Sequence, residues 1–352
     1  MSYEDGWAAL NLEMPPRVPR TEYSAHGHWD LVNAVTGSNV TPESPPEEHA
    51  GASRAFVEAW NYDYMWSTFI SRREFKGYCT DMGHAEYASG GTDRRDTVSC
   101  PFSGPEEALA LDPAEAYGPP DPAELKARYE DGYRKLCDRF PNNANSSGIY
   151  ITLISGLIDI FGWEIMLTAL GIDPEGFGAL ANRYASWIQD YFNVLAETDI
   201  PLVMVHDDIV WTSGPFCDPA WYREYVFPNY RRFLAPLREA GKKILYTSDG
   251  NYTMFIDDIA AAGVDGFVME PTTDMAYIAE KYGKTHSFIG NADTRILLNG
   301  TREDIRAEVQ RCMDTGKNCP GFFMAVGNHI PSNTPVENAI YYNEVYEELA
   351  KR

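Results

Sequence analysis

Lys243-Ile-Leu-Tyr-Thr-Ser-Asp-Gly-Asn251 is a short apolar run that ends in Ser248, Asp249 and Asn251, residues able to do chemistry. The same punctuation recurs through the second half of the chain. Pro201-Leu-Val-Met-Val runs into His206, Asp207 and Asp208. Gly266-Phe-Val-Met runs into Glu270, and His286-Ser-Phe-Ile runs into Asn291 and Asp293. Gly321-Phe-Phe-Met-Ala-Val runs into Asn328 and His329. Amphipathic, helix-like stretches separate these runs, which is the grammar of parallel strands with crossover helices. The expected class is α/β, a single (β/α)8 TIM barrel with N-terminal helical and loop additions. In such a barrel the strand C-termini meet at one face, where the active site sits. Any one of these polar residues could instead cap a helix or hold a turn. Five segments ending alike are harder to explain that way.

The chain has 352 residues, enough for one elaborated barrel of ~250 residues or more. The expected organisation is a single domain over 1–352. Residues 1–110 supply the elaboration and first β/α units, and 145–352 the main strands. The formal charge of −23 argues against nucleic acid, whose binding rests on basic patches. It also argues against anionic membrane surfaces and makes a polyanionic substrate uncomfortable. No apolar run approaches the ~20 residues that span a bilayer. The polar, acidic first thirty residues lack the order of a secretion signal. The six cysteines form no CxxC and no zinc-finger spacing, so reduced thiols in a cytoplasmic protein are expected.

Along the chain, helices are predicted over 3–12, 105–116, 122–140, 161–170, 177–197, 219–240, 251–262, 275–282, 302–315 and 335–351. Residues 21–32 read as a first strand and its loop, with His26 and His28. Residues 41–48 read as a surface loop. Gly148 to Leu157 reads as a strand. Residues 78–104 show little periodicity and hold His84, Glu86 and Tyr87, the pattern of a functional loop or an ordered surface hairpin.

Several ordered motifs carry a resemblance. They are Trp7-Ala-Ala-Leu-Asn11 with Pro16-Arg-Val-Pro19, then Asp207-Asp208, Gly214-Pro215, Asp218-Pro219, Tyr222-Arg-Glu224 and Pro228-Asn-Tyr230. Ser248-Asp-Gly-Asn251, Gly290-Asn-Ala-Asp293, Gly300-Thr301, Ile330-Pro331 and Thr334-Pro-Val-Glu-Asn338 complete them. Together they resemble the uroporphyrinogen decarboxylase superfamily over nearly the whole chain. The resemblance implies a (β/α)8 barrel and either decarboxylation or methyl transfer to a corrinoid, since one barrel hosts several chemistries.

The decarboxylases carry Met-Arg-Gln-Ala-Gly-Arg where this chain reads Tyr23-Ser-Ala-His-Gly-His28. Both arginines suited to substrate carboxylates are absent. Their central aspartate is matched by Asp63, in Asn61-Tyr-Asp-Tyr-Met65. Their active-site tyrosine falls near Gly156, and their C-terminal histidine falls on Asn328. The thiol-activating zinc methyltransferases carry His-x-Cys and a second Cys where this chain has Tyr246, Ser248 and Asn328, so that site is absent. The branch that resembles this chain best includes methyltransferase components of O-demethylation systems. These move a methyl group from a methoxylated compound to a cobalamin held by a partner corrinoid protein.

Breaking a methyl–oxygen bond needs an acid or a Lewis-acid metal for the leaving oxygen. The catalytic candidates are Asp249, His329, Asp208, Asp207 and Asp63. The substrate-binding candidates are Glu270, Asn291, Asp293, Asn251, Ser248, His84, His28 and Asn328. Clustered carboxylates require either a raised pKa or a cation. Asp249, Glu270 and His329 are therefore candidate ligands for Zn2+ or another divalent metal, without a diagnostic spacing. Tyr62, Tyr64, Trp66, Tyr87 and Trp211 could line an apolar pocket. His206 is expected to face the core, and His286 the N-terminal end of its strand.

The leading expectation is a transferase for a small methylated substrate, working with a corrinoid protein. The first alternative is a metal-independent carboxy-lyase using Asp63, and the second a non-catalytic binding barrel. The resemblance also implies a homodimer.

Overall fold

The computed structural model describes residues 3–82 and 98–352. His84, Glu86 and Tyr87 lie outside the described residues. Among the described residues ten short strands occur in chain order: β1 (Tyr64–Met65), β2 (Ala144–Asn145), β3 (Ser147–Ile149), β4 (Leu202–His206), β5 (Val210–Trp211), β6 (Gly214–Pro215), β7 (Lys243–Ser248), β8 (Gly266–Met269), β9 (Ser287–Ala292) and β10 (Phe322–Val326). β5 and β6 form a small antiparallel hairpin, and every other described pairing between strands is parallel. The extended segment 19–22 adds one more parallel strand, bridging Arg20 to Met324. Counting β2 and β3 as one, eight parallel strand segments alternate with helices. That count is the signature of the α/β, (β/α)8 class.

The chain forms two compact units. The first comprises Met1–Trp66, Lys135–Asn145 and Gly266–Arg352, and the second Ser67–Arg134 and Ser146–Asp265. In the first unit β8, β9 and β10 pair in that order. Segment 19–22 then lies between β10 and β1: Met324 N–H donates to Pro19 O at 2.8 Å, and Asp63 N–H to Arg20 O at 2.9 Å. In the second unit β4 lies between β3 and β7. β4 and β10 are buried at every position, as expected of parallel strands covered on both faces. Helices Pro174–Ala196 and Phe227–Glu239 cover the second unit's strands, and between them Phe192 stacks on Phe233 at 4.8 Å.

Several boundaries differ from the sequence reading. The strand expected over 148–157 stops at Ile149, and Ile154 already begins a helix that runs to Ile172. At 19 residues this helix is long and apolar enough to cross a membrane by length and composition. Most of it is buried, and it is broken at Gly162, where φ is +69°. Its apolarity therefore serves the core of the second unit. Pro113 splits the helix expected over 105–116 into Pro105–Ala110 and Pro113–Tyr117. The expected loop 41–48 gives way to a helix at Pro46, a residue that favours the first helical turn.

Candidate functional site

The second unit gathers its polar groups where β4 and β7 end. His206 is the last residue of β4 and registers against Thr247. Its ring stacks flat on Tyr150, with centroids 3.8 Å apart. Its Nδ1–H donates to Tyr150 O at 3.0 Å, and its Nε2 lies 3.2 Å from Asp208 Oδ1. Burial alone would lower the imidazole pKa. The Asp208 carboxylate, its hydrogen bond and the charge of Asp249 outweigh burial and push it up to about 9. An imidazolium at neutral pH thus stands against Asp208, which retains partial solvent access. Asp208 Oδ1 also accepts the Asp249 N–H at 2.9 Å, which ties the ends of β4 and β7 together.

A raised histidine pKa has a definite linkage. Stability from this contact is complete below the unfolded value of 6.5 and is lost as pH rises through about 9. Urea unfolding across that window should show a downward slope in wild type that is reduced in His206→Gln. An unchanged slope would mean that His206 is not the titrating group.

Asp207 behaves differently from Asp208. It is fully buried, and its Oδ1 accepts from Ser155 N–H at 2.7 Å and Leu153 N–H at 3.2 Å. Its Oδ2 accepts the Tyr230 hydroxyl at 2.5 Å. Burial raises its pKa, against these donors. The geometry makes Asp207 an anchor for the start of helix Ile154–Ile172, rather than the catalytic acid expected from sequence. Tyr246 donates to Asp207 O at 3.0 Å and belongs to the same buried network. Near Gly156, where no phenol was expected, a Cβ would collide with the hydroxyl of Tyr184, which arrives from helix Pro174–Ala196. That hydroxyl is buried and donates to Ile151 O at 2.6 Å, so it fills space and braces the loop.

The Ser248-Asp-Gly-Asn251 motif is a shaped turn. Ser248 is buried and its hydroxyl donates to Asp249 O at 3.0 Å. Asn251 N–H donates to Trp211 O at 2.9 Å, and Asn251 Oδ1 accepts from Thr253 N–H. Gly250 has φ +81°, and a Cβ there would sit 2.8 Å from the Trp211 backbone. Gly250→Ala is therefore expected to cost about 1–3 kcal/mol in chemical denaturation, through both strain and contact. The turn presents Asp249, which is exposed.

In the first unit, Glu270 follows β8, and its Oε1 accepts the Asn328 side-chain amide at 2.5 Å. Asn328 Oδ1 accepts the His329 N–H at 2.8 Å. The His329 ring packs edge-on against Tyr23, with centroids 4.7 Å apart. These three polar residues are half-buried and accompany one another. Asn291 is buried and donates to Glu270 O and Thr273 O, while accepting from Arg311. Asp293 caps helix Thr294–Asn299 and is paired with Arg295 at 2.6 Å. Despite partial burial, the bonds from Arg295 hold its carboxyl below the usual range.

Two candidates from the sequence leave the site. Asp63 precedes β1 and so lies at its N-terminal end, opposite the face where barrel active sites sit. It is fully buried, bound to Arg17 at 2.5 Å and to the Arg20 N–H at 2.9 Å. The residue beyond the C-terminal end of β1 is Trp66. His28 is likewise structural: Nδ1 accepts from Leu31 N–H at 3.2 Å to cap helix Trp29–Thr36, and Nε2–H donates to Thr334 O. Tyr62 and Tyr64 are fully buried, whereas Trp211 is 42% exposed. His286 immediately precedes β9, at the N-terminal end as expected.

Among the described residues no group of three or more His, Cys, Asp or Glu side chains is arranged to hold a metal ion. Of the three candidate ligands, Glu270 and His329 belong to the first unit and Asp249 to the second.

Residues 136–349 match the family model for uroporphyrinogen decarboxylase, which is more than half of the chain. The chain belongs to the uroporphyrinogen decarboxylase family. A relative named uroporphyrinogen decarboxylase from Geobacter sulfurreducens is 24% identical over 222 residues, 62% of this chain and 63% of that protein. Another with that name, from Thermus thermophilus, is 31% identical over 46% of this chain and 45% of its own length. The chain spans about half the length of several such relatives. A solved methyltransferase from Methanosarcina mazei superposes with a TM-score of 0.63 over 99% of both chains, at 17% identity, so it shares the fold. Two arginines of this family member near its N-terminus do not replace those absent from 23–28. Arg17 is held by Asp63, and Arg20 by Glu22.

Proposed function

We propose that this member of the uroporphyrinogen decarboxylase family is a methyltransferase. It takes a methyl group from the ether oxygen of a small methoxylated compound and passes it to a corrinoid carried by a partner protein. The observation that carries the reading is the contact between His206 and Asp208, a protonated imidazole behind a solvent-facing carboxylate. An ether oxygen is a poor leaving group, and a proton delivered to it makes it a good one. In the transfer the methyl–oxygen bond breaks with its electron pair kept by oxygen, and the methyl carbon bonds to the acceptor. The proton starts on the His206 imidazolium: the Asp208 carboxylate takes it up and hands it to the departing oxygen, which leaves His206 neutral and Asp208 ionised again. Supporting the same reading, no arginine occupies 23–28, and the strand ends of both units carry carboxylates, which suits a neutral substrate better than a polyanion.

The names of the sequence relatives favour a second reading, decarboxylation of a carboxylated substrate. That reading loses Asp63 as its acid, because Asp63 is sealed against Arg17. The test is to incubate the protein with 2-methoxyphenol and chemically reduced cobalamin, and separately with a porphyrinogen polycarboxylate. Methylcobalamin and demethylated phenol in equal amounts are expected. Carbon dioxide from the porphyrinogen, with no methylcobalamin, would establish the lyase reading instead.

A further inference from the structure

In the first unit, segment 19–22 lies between β10 and β1, so the residues beyond their C-terminal ends are neighbours. These residues are Tyr23, Trp66 and His329. Tyr23 packs edge-on against His329 at 4.7 Å and against Trp66 at 6.1 Å, and Trp66 leans on Tyr64 at 4.7 Å. All three rings are half-buried rather than sealed, unlike Tyr64 beneath them. One polar atom in this group is out of balance. Trp66 Nε1 is buried and has no hydrogen-bond partner. Indole has a donor and no acceptor, so only an acceptor atom can satisfy it. Buried donors are nearly always paired, and one left open at a site calls for an explanation.

We infer that Tyr23, Trp66 and His329 form a binding wall for a small, flat, neutral ligand, and that Trp66 Nε1–H donates to an acceptor oxygen on it. Three ring faces and edges favour an aromatic ligand, since offset and edge-on ring pairs are attractive. The open donor on Trp66 calls for an acceptor oxygen on the ligand, and the net charge of −23 favours a neutral oxygen over a carboxylate. The inference goes beyond the proposed methyl transfer, because binding at this wall requires no acceptor protein and no reaction.

The test compares methoxybenzene with ethylbenzene, which replaces the ether oxygen by a methylene of similar size. Binding is followed by calorimetry and by the indole N–H resonances of labelled protein, with that of Trp66 identified by its loss in Trp66→Phe. Wild type is expected to bind methoxybenzene about five- to tenfold more tightly, the worth of one hydrogen bond. The Trp66 resonance is expected to move with methoxybenzene and to stay nearly fixed with ethylbenzene. Trp66→Phe should bind both compounds alike. The inference is overturned if wild type binds neither compound saturably, if it binds them equally, or if Trp66→Phe keeps the preference. Binding as expected without any methyl transfer would sink the proposed function and leave the wall standing. Methyl transfer that ignores Trp66→Phe would do the reverse.

Discussion

Replacing Arg20 with methionine is expected to lower folding stability by about 3–5 kcal/mol, because it leaves Glu22 charged and unpaired in the interior. Both side chains are fully buried. Arg20 donates to Glu22 Oε1 at 2.8 Å and also to Asn343. Its guanidinium lies over Tyr346 at 4.5 Å and Trp60 at 4.7 Å. Glu22 in turn accepts the Val326 N–H at 2.9 Å and the Tyr342 hydroxyl at 2.7 Å. The pair therefore staples segment 19–22 to the end of β10 and to helix Val336–Leu349. Urea unfolding at neutral pH measures the loss. The double variant Arg20→Met, Glu22→Gln should recover part of it, since the stranded charge is gone. A single-variant cost below about 1 kcal/mol would show that the contact is no staple.

Asp208→Asn is expected to slow methyl transfer by about 10²- to 10⁴-fold, the usual range for a lost general acid. The fold should survive. An asparagine oxygen can still accept the Asp249 N–H, and position 208 is not fully buried. Asp207→Asn should act in the opposite sense. It is expected to destabilise the protein, because one oxygen of Asp207 serves two backbone donors and the other a phenol. Initial rates of methylcobalamin formation, set beside unfolding curves for both variants, separate the two roles. Equal rates for Asp208→Asn and wild type would remove Asp208 from the chemistry.

The contrast between Asp207 and Asp208 also marks what the sequence could and could not convey. Apolar runs ending in acids and amides made the parallel strands legible, and β4, β7, β8, β9 and β10 lie where those runs were read. Periodicity gave most of the long helices to within a few residues, but Ile154–Ile172 begins seven residues before its predicted start at 161. The role of each strand-end residue was not legible, because it depends on how the chain turns after the last pleat. Strand alternation turned His206 toward the core or the helix layer in the sequence reading, and His206 is buried. It is the final residue of β4, and the following turn brings Asp208 back over its ring. Asp63 was singled out because it matches the decarboxylases' central aspartate, which lies at a strand end. The strand starts at Tyr64, which moves Asp63 to the opposite end. Tyr184 could not be anticipated at all, since it reaches Gly156 from a helix some thirty residues away. His28 resembled a ligand by residue type, and only its two ring contacts reveal a cap. Trp66 read simply as a possible pocket-lining aromatic, because an unpaired donor is a property of packing and has no sequence signal.

The account turns on a protonated histidine held by a carboxylate at the ends of β4 and β7. Titration of the His206 imidazole by NMR, in wild type and in Asp208→Asn, tests it most directly. The account predicts a wild-type pKa raised from 6.5 to about 9 that falls clearly when the Asp208 charge is removed. A histidine that titrates near its ordinary value in both proteins would contradict it.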